Sequence, residues 1–428
     1  MTKRFRNQRR TTRGLLFCLL GSAMLTQAQD PKVTELPGKP FFVKKTWIIG
    51  GEGNWDYLTL DPTALQLFIA HGTRVQVIDV NSGSAVGEVT GLRDAHGIAL
   101  DPEGQFGYVT DGAANEVKVF DRSSLQVVAS VPVGKNPRAV VFEPASGLVF
   151  AICPDAAQES RIPRQTTTGQ RVFDPFVAST VTVIDAETHK RIADLLLPGK
   201  LGFAQADGKG TVFINITDRN QIASFNAQDF AAQLRRLSTR HAADAAKTRE
   251  TDGNPTLAID WSGTAQSPPL IPSPVHIFRL GIGCLSPRGL AVDSEHLRLF
   301  AACENQKLEV LNTGTGELVA TLPIGAGTDA VGYDAQRGLI YTSNGAGLGS
   351  VTVIRQDVTD SYNVIQELPT KQRARTLAVN PTNGEVYLVT NLEGFDLNKK
   401  GTGGGAHAVP VVQAESVKGT FQVLVVGN

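Results

Sequence analysis

Six residues that bind or react recur at one place in a repeated pattern. Asp56, His96, Arg138, Arg288, Asp329 and Arg375 each stand five residues before the residue closing an alternating apolar segment. Leu201 holds that place in a seventh segment. Only 19% of the chain is charged, so polar residues at six of seven matched places point to a shared environment. Three arginines and one histidine against two aspartates make the set net cationic. An arginine offers a planar fork of donors that fits a carboxylate or a phosphate. The set therefore suits an anionic ligand. It equally suits ion pairing between neighbouring segments, which partly buried charges require whatever the function.

Other chemistry has weaker signals. No Gly-x-Ser-x-Gly elbow, Cys-x-x-Cys pair, haem-attachment motif or EF-hand loop occurs. No cofactor is expected. His96 is a candidate general base, but a lone histidine facing a channel is more often a hydrogen-bonded structural residue. Ser286 and Ser343 have no identifiable base. Cys284 and Cys303 fall at the same end of one repeat. They are a candidate disulfide, with two buried thiols as the alternative. Cys153 would stay unpaired.

The elements that must position these residues are strands. Ala95 to Thr110, Pro137 to Ala151 and Pro287 to Ala301 share one pattern: an apolar strand ending at an acid, a turn, and an aromatic seven residues after the acid. The aromatics recur at Phe68, Tyr108, Phe150, Phe213, Phe300, Tyr341 and Tyr387, spaced by 40, 42, 63, 87, 41 and 46 residues. Four of those intervals agree on the length of a propeller blade. A third strand such as Val75 to Asp79 and a fourth such as Val127 to Gly134 complete each unit. The expected fold is all-β: a seven-bladed propeller of four-stranded blades in one domain, residues 41–428. Phe42 to Gly50 matches a fourth strand with no preceding three, and Phe421 to Gly427 a third with no fourth. The N-terminal strand is therefore expected to complete the last blade, which removes the free sheet edges.

The long intervals mark inserts at about 154–179, 229–274 and 392–419. The second begins with a helix-like stretch, Asp229 to Arg249, and ends in the prolines 268, 269, 272 and 274, an extended linker. The third contains Gly403-Gly404-Gly405 and is expected to be mobile. In a propeller the first strand of each blade lines the channel. The six polar residues then ring one mouth. The loops carrying His71, Asp111, Asp155, Asp218, Glu304, Asn344 and Asn391 open on the same face.

Residues 1–28 carry six basic residues and no acid, then the apolar run Leu15 to Leu25, then Thr26-Gln27-Ala28. This is the three-part pattern of a signal peptide cleaved near Ala28, with residues 29–40 as a linker. The run is about half the ~20 residues that span a bilayer. Basic and acidic residues number 41 each, so subtracting those six leaves 35 against 41, or −6. A mildly acidic mature chain is not a general nucleic-acid binder.

The blade pattern resembles the YVTN-type repeats of the YncE-like propeller family, which is periplasmic or secreted in bacteria. Arg288-Gly-Leu-Ala-Val-Asp293, Leu299-Phe-Ala-Ala-Cys303, Gly327-Thr-Asp-Ala330 and Leu424-Val-Val-Gly427 carry the resemblance. It implies an exported propeller, here expected to be a monomeric, non-catalytic scaffold. The mouth would bind an anionic small molecule or an envelope protein. An alternative comes from lactonase-type propellers, which place Ca²⁺ in a carboxylate and amide cluster at the mouth. Asp56, Glu304, Asn344 and Asp329 are the residues to cast in that metal-assisted hydrolase. A second alternative is a structural envelope or surface protein.

Overall fold

Valines at alternate positions of Val75-Gln-Val and Val117-Lys-Val turn the same way in an extended chain, and all four are fully buried. Repeated through the chain, this patterning produces seven antiparallel four-stranded sheets arranged as blades. In the computed structural model the described residues are 39–155, 159–165, 171–233, 256–258, 275–357, 360–395 and 414–428. The expected signal peptide, and the expected linker up to residue 38, lie outside them.

The first strands are Trp55–Asp61, Ala95–Leu100, Ala139–Glu143, Leu201–Ala206, Pro287–Asp293, Thr328–Asp334 and Leu377–Val379. All seven line one central cavity of about 400 Å³. Each blade then runs outward strand by strand. The seven repeated aromatics are at most 2% exposed and fill the seams between blades. Phe42–Ile48 pairs antiparallel with Gln422–Gly427, from Phe42 opposite Gly427 to Ile48 opposite Gln422, with one register shift between Val43 and Lys45. The last blade thus takes its outer strand from the N-terminus, as the unmatched sequence segments require.

The acid at the matched place in five blades is a turn former, while blade four has Ala206 there with Asp207 next. The Asp61 carboxylate accepts the N–H groups of Thr63 and Ala64, both at 3.0 Å. Glu143 does the same for Ala145 and Ser146, and Asp334 for Gln336 and Arg337. Asn380 replaces the acid in blade seven and accepts from Thr382. A short side chain that satisfies the next two backbone donors fixes the turn to the second strand. Asp61 also receives a guanidinium hydrogen bond from Arg122 of the next blade. Burial alone would lift this carboxyl. The hydrogen bonds from Ala64 and Arg122 outweigh it and hold it below the usual carboxylate range. A group lowered by folding stabilises the fold above its unfolded pKa, about 3.9, and that contribution fades as pH falls through the folded value. The melting temperature of the wild type should therefore fall on acidification below about pH 4. Asp61→Asn should melt lower than wild type at neutral pH and follow pH less steeply below about pH 4, as differential scanning fluorimetry would show.

The described parts of the inserts form regular elements. The first is a hairpin: residues 159–165 pair with the opening half of an extended third strand, Arg171–Asp185. The second starts as helix over 227–233, and residues 234–250, like the proline-rich end, lie outside the described residues. In between, Thr256–Ala258 pairs parallel with Asp194–Leu196 and adds a fifth strand to blade three. The third insert is framed by a small ladder, Glu393–Phe395 against Ala414–Ser416. Its glycines at 403–405 lie outside the described residues. Cys284, in the loop opening blade five, is joined to Cys303 by a disulfide with Cα atoms 5.4 Å apart. Cys153 is a buried free thiol that burial pushes up to about 12.

Candidate functional site

The mouth is built by two consecutive positions of each first strand. Asp56, His96, Arg138, Leu201, Arg288, Asp329 and Arg375 occupy the first. The second must be small where the strands converge on the axis. It is Gly97, Ala139, Gly202, Gly289, Ala330 and Thr376 in six blades. Blade one breaks the rule with Tyr57. This ring lies 4.9 Å from the ring of Phe203 in blade four, and both residues line the cavity. The Tyr57 hydroxyl donates to the Asp329 carbonyl at 3.4 Å. The aromatic pair is a floor beneath the charged ring. Burial lifts the Tyr57 hydroxyl well above its ordinary value, and the Asp56 and Asp329 charges add to this against Arg375 and Arg288.

Most of the ring residues are already paired. His96 is buried and central. Its Nδ1 lies 2.7 Å from Asp56 Oδ2, and its Nε2 2.8 Å from Asp94 Oδ2. Both contacts are hydrogen bonds only when both ring nitrogens carry a proton. Neither nitrogen is then free to accept one, which opposes the general-base role considered for His96. Arg375 Nε lies 3.2 Å from Asp329 Oδ2, joining blades seven and six. Arg288 donates to Glu304 at 2.9 Å within blade five. Burial lifts the Asp329 carboxyl; Arg375 and Arg288 oppose that lift, while Asp56 and Glu304 reinforce it. Leu201 contributes no polar group.

Arg138 differs from the others. It is exposed, and its Nη1 lies 3.4 Å from His96 Nδ1. No carboxylate pairs with it among the described residues. It lines a polar recess of about 290 Å³ at the mouth with Trp55, Asp56, Asp94, His96, Arg373 and Arg375. The Arg373 guanidinium lies 4.5 Å from the centre of the Trp55 ring. The Trp55 indole N–H is buried, and no acceptor meets it among the described residues.

Sequence reasoning missed Trp55, Tyr57, Asp94 and Arg373. The first two flank Asp56, and Arg373 precedes Arg375 by two residues, so a wider window around each ring position would have found three of them. Asp94 and Glu304 reach the mouth from loops. With them the mouth holds Arg138, Arg288, Arg373 and Arg375 against Asp56, Asp94, Glu304 and Asp329. Among the described residues these four arginines and four carboxylates balance before His96 is counted, and the recess beside Arg138 holds three guanidinium groups against two carboxylates.

The set Asp56, Glu304, Asn344 and Asp329 does not fit a divalent cation. The Asn344 carbonyl oxygen accepts from Thr328 and Thr342 at 2.5 and 3.0 Å, deep in blade six. Its amide donates to Ser350 and Thr352. Each of the three carboxylates has a basic partner. No cluster of three or more His, Cys, Asp or Glu side chains suited to a metal occurs among the described residues. The loop residues mostly hold the scaffold. Asp111 accepts the N–H groups of Arg93 and Asp94, and Asp218 that of Lys200. Asp155 accepts from Asn136. His71 packs on Phe421 at 3.9 Å and contacts Gln76. Asn391 is buried, its carbonyl oxygen without a donor among the described residues. Ser343 Oγ is buried and donates to the Arg375 carbonyl.

No family model matches the chain, and no curated protein matches it. Solved propellers share its fold. The structure of U3-55K superposes with a TM-score of 0.58 at 9% identity, over 88% of this chain and 97% of that one. The crystal structure of the RRP9 WD40 repeats gives 0.59 at 9% identity, over 89% and 96%. A chain in the crystal structure of the mitotic checkpoint complex gives 0.56 at 12% identity, over 86% and 96%. At such identities a likeness establishes architecture alone. The chain is a seven-bladed β-propeller with WD40-like structural neighbours. No helix among its described residues is long and apolar enough to cross a membrane.

Proposed function

We propose that this chain is an exported propeller of the YncE-like, YVTN-repeat type, a binding scaffold that takes an anionic group at its channel mouth. The observation that carries the reading is Arg138, a guanidinium with no carboxylate partner among the described residues, facing a polar recess beside Arg375. An unmatched cation on a rigid ring is a ready site for a carboxylate or phosphate. Export is supported by the leader-like residues 1–28 and by the Cys284–Cys303 disulfide, which an oxidising compartment maintains. The scaffold role is supported by the WD40-like neighbours, one of them a chain within a multi-protein assembly.

The test is titration calorimetry with butyrate, citrate and inorganic phosphate as probes. Wild type should bind at least one of them. Arg138→Ala with Arg375→Ala should weaken that binding by about 10- to 100-fold, the worth of one charge-assisted hydrogen bond, with an unchanged circular dichroism spectrum. Retained affinity in the double variant, or no binding of any probe by wild type, would overturn the reading.

A further inference from the structure

The recess holds both signs of charge in separate places, and this limits what can fill it. Arg138 carries the unmatched positive group. Arg375 uses Nε on Asp329, and its two terminal nitrogens make no hydrogen bond among the described residues. On the other side, Asp56 and Asp94 each use Oδ2 on His96. Their Oδ1 atoms make no hydrogen bond among the described residues. A simple anion seated on Arg138 would meet these oxygens as like charges, which costs affinity inside a sheltered site. A ligand bearing both charges would meet neither penalty.

The two carboxylates cannot share one cation. They bond opposite nitrogens of a single imidazole ring, which stands between them. Asp94 is the more accessible, with its side chain 44% exposed against 18% for Asp56. Tyr57 and Phe203 pack against each other across the central channel, which favours a compact molecule at the mouth over a chain threaded down the channel.

We propose that the mouth takes a small zwitterion, an amino acid in the broad sense, with its carboxylate on Arg138 and Arg375 and its ammonium group on Asp94. The proposal rests on the reading of the mouth as an anion site and narrows its ligand class. The ammonium supplies the partner that Asp94 Oδ1 lacks, and the pair leaves the recess with no added net charge.

The test compares matched probes on the full mature chain by titration calorimetry: γ-aminobutyrate, β-alanine and glycine as zwitterions of three lengths, butyrate as the anion, and butylamine as the cation. At least one zwitterion should bind about tenfold or more tightly than butyrate. Asp94→Asn should bring that zwitterion to the level of butyrate while leaving butyrate binding intact or stronger. Arg138→Ala should weaken both. Butyrate binding as tightly as every zwitterion would overturn the proposal and leave the anion site standing. Failure of butyrate and all three zwitterions would overturn it, and failure of citrate and phosphate as well would remove the anion site too. A preference for the zwitterion that survives Asp94→Asn would sink the assignment of the ammonium to Asp94.

Discussion

A chain that begins after Ile48 should fail to fold as a cooperative unit, whereas one beginning at Lys39 should melt like the full chain. The strand Phe42–Ile48 supplies the outer edge of blade seven through a ladder with Gln422–Gly427. Without it, the buried run Gln422 to Gly427 becomes a free apolar edge, the kind that pairs with other chains. More than the ladder is lost. Phe41 is buried against the Tyr341 ring of blade six at 5.8 Å. Its N–H and carbonyl make reciprocal 2.8 Å hydrogen bonds with the Gln366 side chain. The segment therefore binds two blades and seals the ring between them. Phe41→Ala alone should cost about 3–5 kcal/mol, the usual loss for a buried phenylalanine. Urea denaturation measures that cost, and size-exclusion chromatography detects aggregation of the truncated chain. A truncated chain that stays monomeric with an unchanged midpoint would show that blade seven closes without this strand.

The ring was legible because its physics repeats. Each blade needs an apolar strand, a turn-forming acid and a seam aromatic, so Asp61, Phe68 and their counterparts recur at matched places. The unmatched Phe42 to Gly50 and Phe421 to Gly427 followed from the same count. Thr256–Ala258 was not legible, since three residues carry no periodicity and its partner, Asp194–Leu196, is in another blade. The mouth was half legible. Strand position placed Asp56, His96, Arg138, Arg288, Asp329 and Arg375 on one rim. The sequence puts Glu304 on a loop of the same face without showing its partner Arg288, and Asp94 was hidden because its loop carries no repeat of its own. Charge arithmetic on the ring alone thus overstated the cationic character. Tyr57 stood out only once the other blades fixed a small residue at its place.

That small-residue position yields the second large effect. Gly289→Ala should destabilise the fold, although glycine to alanine often does the reverse. Neither Gly97 nor Gly289 has a positive φ, so alanine fits the backbone, and the stiffer unfolded chain would favour folding by about 0.4–1 kcal/mol. Space decides otherwise. A Cβ on Gly289 would lie 2.7 Å from the Val331 nitrogen and 2.8 Å from Ala330 Cα. A Cβ on Gly97 would lie 2.8 Å from the Val140 nitrogen and 2.9 Å from Ala139 Cα. Both sets of atoms are backbone of the next blade's first strand, so no side-chain rotation relieves the clash. In a closed ring one blade cannot retreat without moving others, and overpacking of this kind costs about 1–3 kcal/mol. The cost exceeds the entropic gain. Gly283→Ala is the control, since its Cβ would meet nothing within 4 Å. Scanning calorimetry should find Gly289→Ala and Gly97→Ala melting below wild type and Gly283→Ala level with it or slightly above. Because His96 immediately precedes Gly97, Gly97→Ala should also shift His96 relative to Arg138 and weaken any ligand held in that recess. Equal melting of all three variants would mean that the first strands have slack at the axis, and the mouth could not then be the rigid platform on which its binding role depends.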